Sequence, residues 1–436
     1  MRSIIYSRDT TGFSSTAETF PGLATLPYAP IAAYSSSMIT AVIVDAVRSP
    51  SGRGKPGGQL AQVHPVDLLA RMLRALVERS DLDPALIDDV IGGCVSQSGR
   101  QSINLTRTAV LAAGFPHTVP ATTVDRQCGS SQQAVAFAAQ GVLAGAYEVV
   151  IACGVESMSG NPLGSATGTA DPYGAALAER YPEGLVGQGI AAELIAARWG
   201  LSRTALDEFA ARSHRLAASG NFEAEMVAVD DAKTDETIRP ETTVAGLAKL
   251  KPAFFDDALG RRFGLSEWRI TAGNSSPLTD GASAVLIMSE ARAVSLGFTP
   301  RARFHAFAVA GSDPIEMLTG VIPVTRRVLE RAGSAGKSTG TGTGRNTPIS
   351  IDDIDSFEVN EAFASVPLAW QHELHADPNR VNPRGGAIAL GHALGSSGTR
   401  LLTTLLTTLE QTGGRFGLQT MCEGGGMANA TIIERL

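Results

Sequence analysis

A lone cysteine, Cys128, stands where an extended polar stretch meets a run of small residues, in the sequence VDRQCGSSQQA (124–134). Gly129, Ser130 and Ser131 are typical of a helix start, and the residues after them are apolar on almost every side, which predicts a buried helix. A thiol at that junction faces unpaired backbone N–H groups and the positive end of the helix dipole, and both favour the thiolate. A lone thiol is more commonly a structural residue. Cys128 is therefore a candidate nucleophile that still needs a base.

Three further polar stretches stand out from apolar surroundings. They are NEAFA, which starts at Asn360; GGAIALGH, which ends at His392; and CEGGGMANA, which starts at Cys422. Glycines and aliphatic residues around an imidazole remove it from water and move its pKa. The three glycines after Cys422 leave backbone N–H groups open to a ligand oxygen. Each residue alone is more often structural, but the four together indicate nucleophilic catalysis by a thiol.

Two segments of the chain show the same order of predicted structural elements. An extended segment leads to a polar residue at a turn, then to a buried helix, a buried strand and a loop of small residues, once around Cys128 and again around His392. This repetition predicts a duplicated βαβ-type α/β domain with parallel strands covered on both faces. If the halves pack pseudo-symmetrically, their helix starts approach one another, and His392 becomes the candidate base for Cys128.

Composition excludes several classes of protein. The 436 residues suffice for two or three domains, the formal net charge is −7, and the absence of a dense Lys/Arg block argues against a nucleic-acid partner. Four cysteines without a pairing pattern fit a reducing, cytoplasmic location, and no metal site or redox cofactor is expected. No apolar run is long enough to span a membrane. Residues 1–37 are predicted to be a disordered extension, and 333–348 a flexible insertion.

From Met38 to Leu436 the sequence resembles the thiolase family. The matching stretches are AVIVDAVRSP, VDRQCGSS, GVESMS, ITAGNSSPLTDGASA, FEVNEAFA, NPRGGAIALGHALGSSG and CEGGGMANA. The resemblance implies an α/β fold with two βαβαβαββ halves in a five-layer α/β/α/β/α core, and a homodimer or homotetramer. The halves would be 38–159 with 268–298, and 299–436, with an inserted loop domain at 160–267.

The resemblance also implies catalytic roles. Cys128 would be the acylated nucleophile and His392 the base that takes its proton. Cys422 would be a second acid and base, which exchanges a proton with C2 of the acyl group or with the leaving and entering thiol. Asn360 would hold a water that, with His392, stabilises an enolate oxygen. The backbone N–H groups of Cys128 and Gly424 would form a second oxyanion hole.

Binding residues for coenzyme A (CoA) are implied less directly. Asn274 and Ser275 correspond to polar residues that family members place near CoA. Lys251, Arg261 and Arg262 could meet the CoA phosphates, and a solvated basic face is an equally good interpretation of those three residues.

Two other positions bear on the resemblance. Glu361 matches the NEAF stretch and is expected to be a structural support. The family usually has proline after the catalytic histidine, whereas here Ala393 follows, which removes no functional group.

The stretch YPEGLVGQGIAAELIAARWG bears on the substrate, because short-chain biosynthetic members usually carry MGxTAE there. It resembles degradative actinobacterial thiolases that act on bulky 3-ketoacyl-CoA, including steroid side chains. The resemblance implies cleavage of 3-ketoacyl-CoA by CoA as co-substrate, with no permanently bound cofactor. Condensation of two acetyl-CoA is the alternative. A ketosynthase would lack Cys422, and a non-catalytic acyl-CoA carrier would have lost the catalytic residues, so both rank lower.

Overall fold

A computed structural model describes residues 39–334 and 349–436 of the chain. The predicted disordered extension at 1–37 lies outside the described residues. So does the predicted flexible insertion at 333–348, apart from its first two residues, which belong to a helix.

Strands and helices alternate along the first half of the chain, which is completed by a strand that follows a long intervening segment. The elements up to that segment are β1 (Ala41–Arg48), β2 (Gly52–Arg53), α1 (Pro65–Ser80), β3 (Asp89–Gly93), α2 (Leu105–Ala112), β4 (Ala121–Val124), α3 (Ser130–Leu143) and β5 (Val149–Ser157). The intervening segment and the closing strand contribute α4 (Gly174–Arg180), α5 (Gln188–Arg198), α6 (Arg203–Ser219), α7 (Val244–Leu247), α8 (Asp257–Phe263) and β6 (Thr279–Ser289).

Helix α9 (Glu290–Ser295) follows β6 at the end of the first half. The second half repeats this order with four strands, two fewer than the six of the first half, one of which is the two-residue β2. Its elements are β7 (Ala302–Gly311), α10 (Val321–Ser334), β8 (Ser356–Val359), α11 (Ser365–Leu374), α12 (Ala387–Leu390), α13 (Ser397–Thr412), β9 (Phe416–Glu423) and β10 (Met427–Arg435). Where the repeat predicts a third strand, the described residues have a single parallel bridge between Phe357 and Val381.

The sheet is mixed, so the expectation of parallel strands is wrong in part. The strand order is β4-β3-β5-β6-β1-β7-β10-β9-β8, and β2 pairs with β6. Only β3–β4, β3–β5 and β8–β9 pair in parallel. The remaining pairs are antiparallel, because β10 follows β9 through a three-residue glycine turn and β6 enters from the long segment. The two halves join through two residue pairs between β1 and β7.

The layers of helices and strands number five, as the resemblance implies, and their buried side chains form three clusters. One cluster packs α1 and α2 on the first half of the sheet, one places α3 and α13 between the two halves, and one packs α10 and α11 on the second half. Alternate side chains of β1 pack on opposite faces of the sheet: Val42 lies in the outer cluster and Ile43 in the central one. A strand covered on both faces is buried throughout, as β1 is.

The segment between β5 and β6 is anchored by buried ion pairs. Arg48, at the end of β1, contacts Glu225 at 2.6 Å and Asp235 at 2.8 Å, and all three side chains are fully buried or nearly so. Helices α5 and α6 pack in the same cluster as α11. The limits 160–267 for an inserted loop domain stay a prediction. In the described residues, no helix is both long and apolar enough to cross a bilayer.

Helices α3 and α13 approach one another at glycines. A methyl group built on Gly398 would fall 2.0 Å from the backbone nitrogen of Gln132, in the first turn of α3. One built on Gly154 would fall 2.3 Å from the carbonyl oxygen of Gly395, just before α13. These are backbone contacts that no side-chain movement relieves. Glycine therefore allows the starts of the two helices to touch.

We expect Gly398→Ala to lower the free energy of unfolding by about 1–3 kcal/mol, because the methyl group forces the two helices apart. Gly260→Ala in α8 is the control, since its methyl would lie 3.4 Å from the nearest atom, an ordinary contact. Urea unfolding of both variants measures the difference. Equal stability of the two variants would contradict the close contact.

Candidate active site

The loop before Cys128 is tight and strained. Gln127 has a φ of 48°, in the left-handed region that side chains other than glycine avoid. Its carbonyl accepts a hydrogen bond from the Ser130 hydroxyl at 2.6 Å, and its N–H donates to Asp125 at 2.6 Å. Helix α3 starts at Ser130 with Gly129 as its N-cap, which confirms the predicted helix start. The loop thus fixes Cys128 beside the first turn of α3.

The Cys128 sulfur is buried among apolar side chains. It lies in a small cluster with Met158, Leu394 and Met421. Burial raises the pKa of Cys128 to about 12, although a hydrogen bond from Gln188 opposes the shift. The expectation that the helix start favours the thiolate is therefore wrong for the free protein, because desolvation of the sulfur is the largest effect on its pKa.

His392 lies at a junction of three segments. Its backbone N–H donates to the Thr279 hydroxyl at 2.9 Å, and its Nδ1 lies 2.6 Å from the Ser397 hydroxyl oxygen. We assign the Nδ1–H tautomer to His392, because the Ser397 hydroxyl lies 2.8 Å from the Ala393 carbonyl, can donate its one proton there and then accepts from Nδ1. Nε2 is then unprotonated and lies 3.4 Å from the Asn360 amide nitrogen. The ring presents its basic nitrogen toward Asn360.

The pKa of His392 falls to about 3, first because of burial and second because of the positive charge of Arg400. This agrees with the expectation that apolar surroundings move the imidazole pKa. The raised pKa of the Cys128 thiol and the lowered pKa of the His392 imidazole leave both groups neutral at pH 7.

Cys422 is the second-to-last residue of β9, and its thiol is buried. Burial and the nearby Cys128 raise its pKa well above the ordinary value. The turn that follows uses positive φ angles at Gly425 and Gly426, and Gly424 lies against Gln127. The glycine turn therefore lies beside the Cys128 loop, so the structure brings Cys128, Cys422 and Gly424 together.

Glu423 is a buried carboxyl that the sequence analysis did not identify. Neither of its oxygens has a hydrogen-bond partner among the described residues, and burial raises its pKa to about 8. A methyl group on Gly129 would fall 2.0 Å from a Glu423 oxygen. Glycine after Cys128 is thus needed to accommodate Glu423. Its position in the CEGGG stretch was the available signal.

Hydrogen bonds fix the NEAFA loop at its second residue and at its last residue. Glu361 accepts hydrogen bonds from Ser213, Asn382 and the backbone of Ile388, which makes it a structural support as expected. The backbone carbonyl of Asn274 accepts a hydrogen bond from the N–H of Ala364, at the end of the loop. These contacts fix Asn360 next to His392.

Asn274 does not face a ligand. Its side chain is fully buried, accepts from the N–H of Thr271 and donates to Asp207 and the carbonyl of Arg269. With its hydrogen-bonding groups engaged, the assignment of Asn274 to CoA is corrected to a structural role. The hydroxyl of Ser275 donates to the Thr271 carbonyl at 2.7 Å.

The basic residues expected near CoA differ in their surroundings. Lys251 and Arg261 are exposed, whereas Arg262 donates to the carbonyls of Glu183 and Gly184. No contact joins any of the three to the catalytic loops among the described residues, so their link to CoA stays a prediction.

Gln188 was also missed by sequence reasoning. It is the first residue of α5, and its amide nitrogen lies 3.9 Å from the Cys128 sulfur as a hydrogen-bond donor. The only signal was its place in LVGQGIAAE, the stretch that differs from MGxTAE. An amide N–H beside the sulfur stabilises negative charge there.

Comparisons with known proteins agree with this geometry. The pattern described as the thiolase N-terminal domain matches residues 41–291, and the thiolase C-terminal domain matches 298–435. The chain belongs to the thiolase family. Both thiolase domains are thus present, in the order and with the layered fold that the sequence predicts.

Among known thiolases, the steroid 3-ketoacyl-CoA thiolase FadA6 of Mycobacterium tuberculosis is 45% identical, over 92% of this chain and 95% of that protein. A 3-ketoacyl-CoA thiolase of Serratia proteamaculans is 43% identical, over 92% of this chain and 100% of that one. The crystal structure of the Bacillus anthracis acetyl-CoA acetyltransferase matches with a TM-score of 0.78 and 36% identity, over 92% of this chain and 99% of that chain.

We expect alkylation of Cys128 by iodoacetamide to speed up continuously from pH 7 to beyond pH 10, because the raised pKa leaves little thiolate at lower pH. A free cysteine, with a pKa of about 8.5, levels off earlier. Mass spectrometry of the Cys128 peptide at a series of pH values measures the rate, and Cys128→Ser identifies the site. A plateau below pH 9 would contradict the pKa.

We expect Gln188→Met to slow alkylation of Cys128 about 2- to 10-fold at fixed pH, since it removes a hydrogen bond to the sulfur. Gln411→Met, at the exposed end of α13, is the matched control and should leave the rate unchanged. Equal rates in both variants would mean that Gln188 does not act on the thiolate.

Proposed function

We propose that this protein cleaves 3-ketoacyl-CoA with CoA, giving acetyl-CoA or propionyl-CoA and a shortened acyl-CoA. The observation that carries the proposal is that two buried thiols, Cys128 and Cys422, lie together beside the glycine turn, in a chain whose His392 ring lies against Asn360. The names of the two 3-ketoacyl-CoA thiolases among the relatives support the substrate class.

The first half-reaction uses Cys128 and His392. Nε2 of His392 accepts the thiol proton, and the sulfur attacks the C3 carbonyl carbon of the substrate. The C2–C3 bond then breaks, its electron pair goes to C2, and the thiol of Cys422 donates a proton to that carbon. Acetyl-CoA leaves, or propionyl-CoA if C2 bears a methyl group, and the shortened acyl group remains on Cys128 as a thioester.

The second half-reaction regenerates the enzyme. The Cys422 thiolate takes the proton of the incoming CoA thiol, and the CoA sulfur attacks the acyl carbon. Cys128 leaves as a thiolate and recovers its proton from the His392 imidazolium. Protons and charge are then as they were before the first step.

Two sites for negative charge are needed, one for each carbonyl oxygen. We assign a water held by Asn360 together with His392 to the enolate oxygen, and the N–H groups of Cys128 and Gly424 to the oxygen on the acyl carbon. The 3.4 Å contact between Asn360 and Nε2 of His392 supports the first assignment. The contact of Gly424 with Gln127 supports the second.

The finer features of the proposal rest on the family. The 45% identity to a steroid thiolase favours bulky acyl groups, including steroid side chains. CoA acts as co-substrate, no permanently bound cofactor or metal is assigned, and we infer a cytoplasmic homodimer or homotetramer. Four free cysteines are consistent with a reducing compartment.

Condensation of two acetyl-CoA to acetoacetyl-CoA is the second candidate. The structural match to an acetyl-CoA acetyltransferase favours it, because the same residues catalyse the reverse direction. The position of Gln188 next to Cys128, where the sequence departs from the short-chain pattern, weighs against it.

We expect CoA-dependent loss of 3-ketoacyl-CoA to increase from acetoacetyl through long-chain to steroid substrates. Cys128→Ala should lower kcat by at least about 1,000-fold, because the nucleophile is lost. Absorbance of the 3-ketoacyl-CoA measures turnover, and an unchanged melting temperature shows that the variant is folded. Activity confined to acetoacetyl-CoA would favour the acetyltransferase, and an active Cys128→Ala variant would overturn the mechanism.

A further inference from the structure

Glu423 is a buried carboxyl on the side of β9 that faces the nucleophile loop. Side chains alternate along a strand, so Met421 and Glu423 lie on one face of β9, and Met421 packs in the cluster of Cys128. A methyl group on Gly129 would fall 2.0 Å from one carboxyl oxygen of Glu423. The carboxyl therefore lies against the residue that follows the nucleophile, and no step of the proposed reaction uses it.

The Glu423 carboxyl lacks hydrogen-bond donors. The residue is fully buried, and neither of its oxygens has a partner among the described residues. Asn429, on β10, reaches the same place, because its Nδ2 lies 2.8 Å from the methyl position built on Gly129 and donates to the Gly129 carbonyl at 3.1 Å. The Asn429 Oδ1 has no partner either. A buried carboxylate without donors is strongly unfavourable, whereas a proton on Glu423 removes the charge and supplies a further donor.

The charged groups that face Glu423 come from the nucleophile loop. Arg126 favours the carboxylate but makes no hydrogen bond to it, and Asp125 favours the neutral acid. Helix α3 presents the backbone of its N-cap, Gly129, and β10 presents the neutral side chain of Asn429. Burial outweighs the effect of Arg126 and raises the pKa of Glu423 to about 8, so the carboxyl is mostly protonated at pH 7.

Both buried thiols of the site respond to the charge of Glu423. After desolvation, that negative charge is one of the causes that raise the pKa of Cys128 and the pKa of Cys422. A carboxylate near a thiol opposes the thiolate because like charges repel, whereas a neutral carboxyl does not. The titration of Glu423 is therefore coupled to the titration of the thiols.

We propose that Glu423 is a positioning residue that acts through Cys128: as the neutral acid it permits the thiolate, and as the carboxylate it opposes the thiolate. Its role in catalysis rests on the proposed function, in which Cys128 is the nucleophile. Its effect on the ionisation of the thiol does not rest on that function, so the test below needs no substrate. Failure of the test and failure of the proposed function are thereby distinguishable.

The test compares alkylation of Cys128 by iodoacetamide in the wild type and in Glu423→Gln, which keeps the size of the side chain and removes its charge. Below pH 7 the two proteins should react at similar rates, because the wild-type carboxyl is protonated there. Above pH 9 the variant should react about 3- to 10-fold faster, since the wild-type carboxylate then opposes the thiolate. Mass spectrometry of the Cys128 peptide measures both rates. A ratio of rates that stays constant from pH 6 to pH 10 would overturn the proposal, because a purely structural effect does not follow the titration of a carboxyl.

Glu358→Gln is the matched control. Glu358, on β8, is also buried, and burial also raises its pKa to about 8, but the charged groups around it are arginines and glutamates rather than thiols. This variant should therefore keep the wild-type pH profile of Cys128 alkylation. The same change of profile in both variants would show a general effect of a lost carboxyl and would refute the role of Glu423.

Infrared spectroscopy gives a measurement that does not depend on alkylation. The C=O band of a protonated carboxyl is distinct from the bands of a carboxylate. We expect the difference spectrum between the wild type and Glu423→Gln to contain the band of a protonated carboxyl at pH 6.5 and to lack it at pH 10. The melting temperatures of both proteins show that each is folded. A carboxylate at position 423 at pH 6.5 would overturn the proposal.

Discussion

The structure depends on the backbone contact between the starts of α3 and α13. Gly398 makes it possible, since a side chain there would overlap the backbone of Gln132, and Gly93, Gly154 and Gly395 allow the same close approach between the helix starts and strands β3 and β5. The nucleophile loop precedes one helix and the histidine loop precedes the other. The same contact that forms the central layer therefore brings the Cys128 loop close to the histidine loop, and Leu394, two residues after His392, lies in one cluster with Cys128. Glu156 strengthens the junction, as its carboxylate accepts hydrogen bonds from Val95 and Ser96 in one half and from Gly395 in the other.

Burial decides the electrostatics of the site. The pKa values of Cys128, Cys422 and Glu423 rise, and that of His392 falls, in each case with desolvation as the largest cause. The charged forms that catalysis needs are thus unfavourable until substrate supplies a carbonyl that accepts the charge. Such a site keeps two thiols inert while it is empty. The proposed oxyanion donors, in the Gln127 loop and the glycine turn, would then act only on the reacting molecule.

Much of the fold and part of the candidate site were predictable from sequence. Periodicity predicted the buried helices after Cys128 and after His392, because it is a property of short continuous stretches. The mixed strand directions and the lost third strand of the second half were not predictable, since pairing depends on how distant segments meet. The thiolate preference of Cys128 was misjudged for the same reason. A helix start is visible in sequence, whereas burial by Met158, Leu394 and Met421 is not. The surroundings of Gln188 and Asn274 were likewise not predictable, since they depend on tertiary contacts.

The wide separation of the catalytic residues along the chain has a consequence for biosynthesis. Cys128 and Cys422 are about 300 residues apart, and ribosomes add about 5–20 residues per second. The nucleophile therefore waits on the order of 15–60 seconds for the strand that carries the second thiol. During that time Cys128 lacks Leu394 and Met421, two of the side chains that bury it in the folded protein. The newly made chain is the state of this protein in which oxidants and electrophiles reach the thiol most readily.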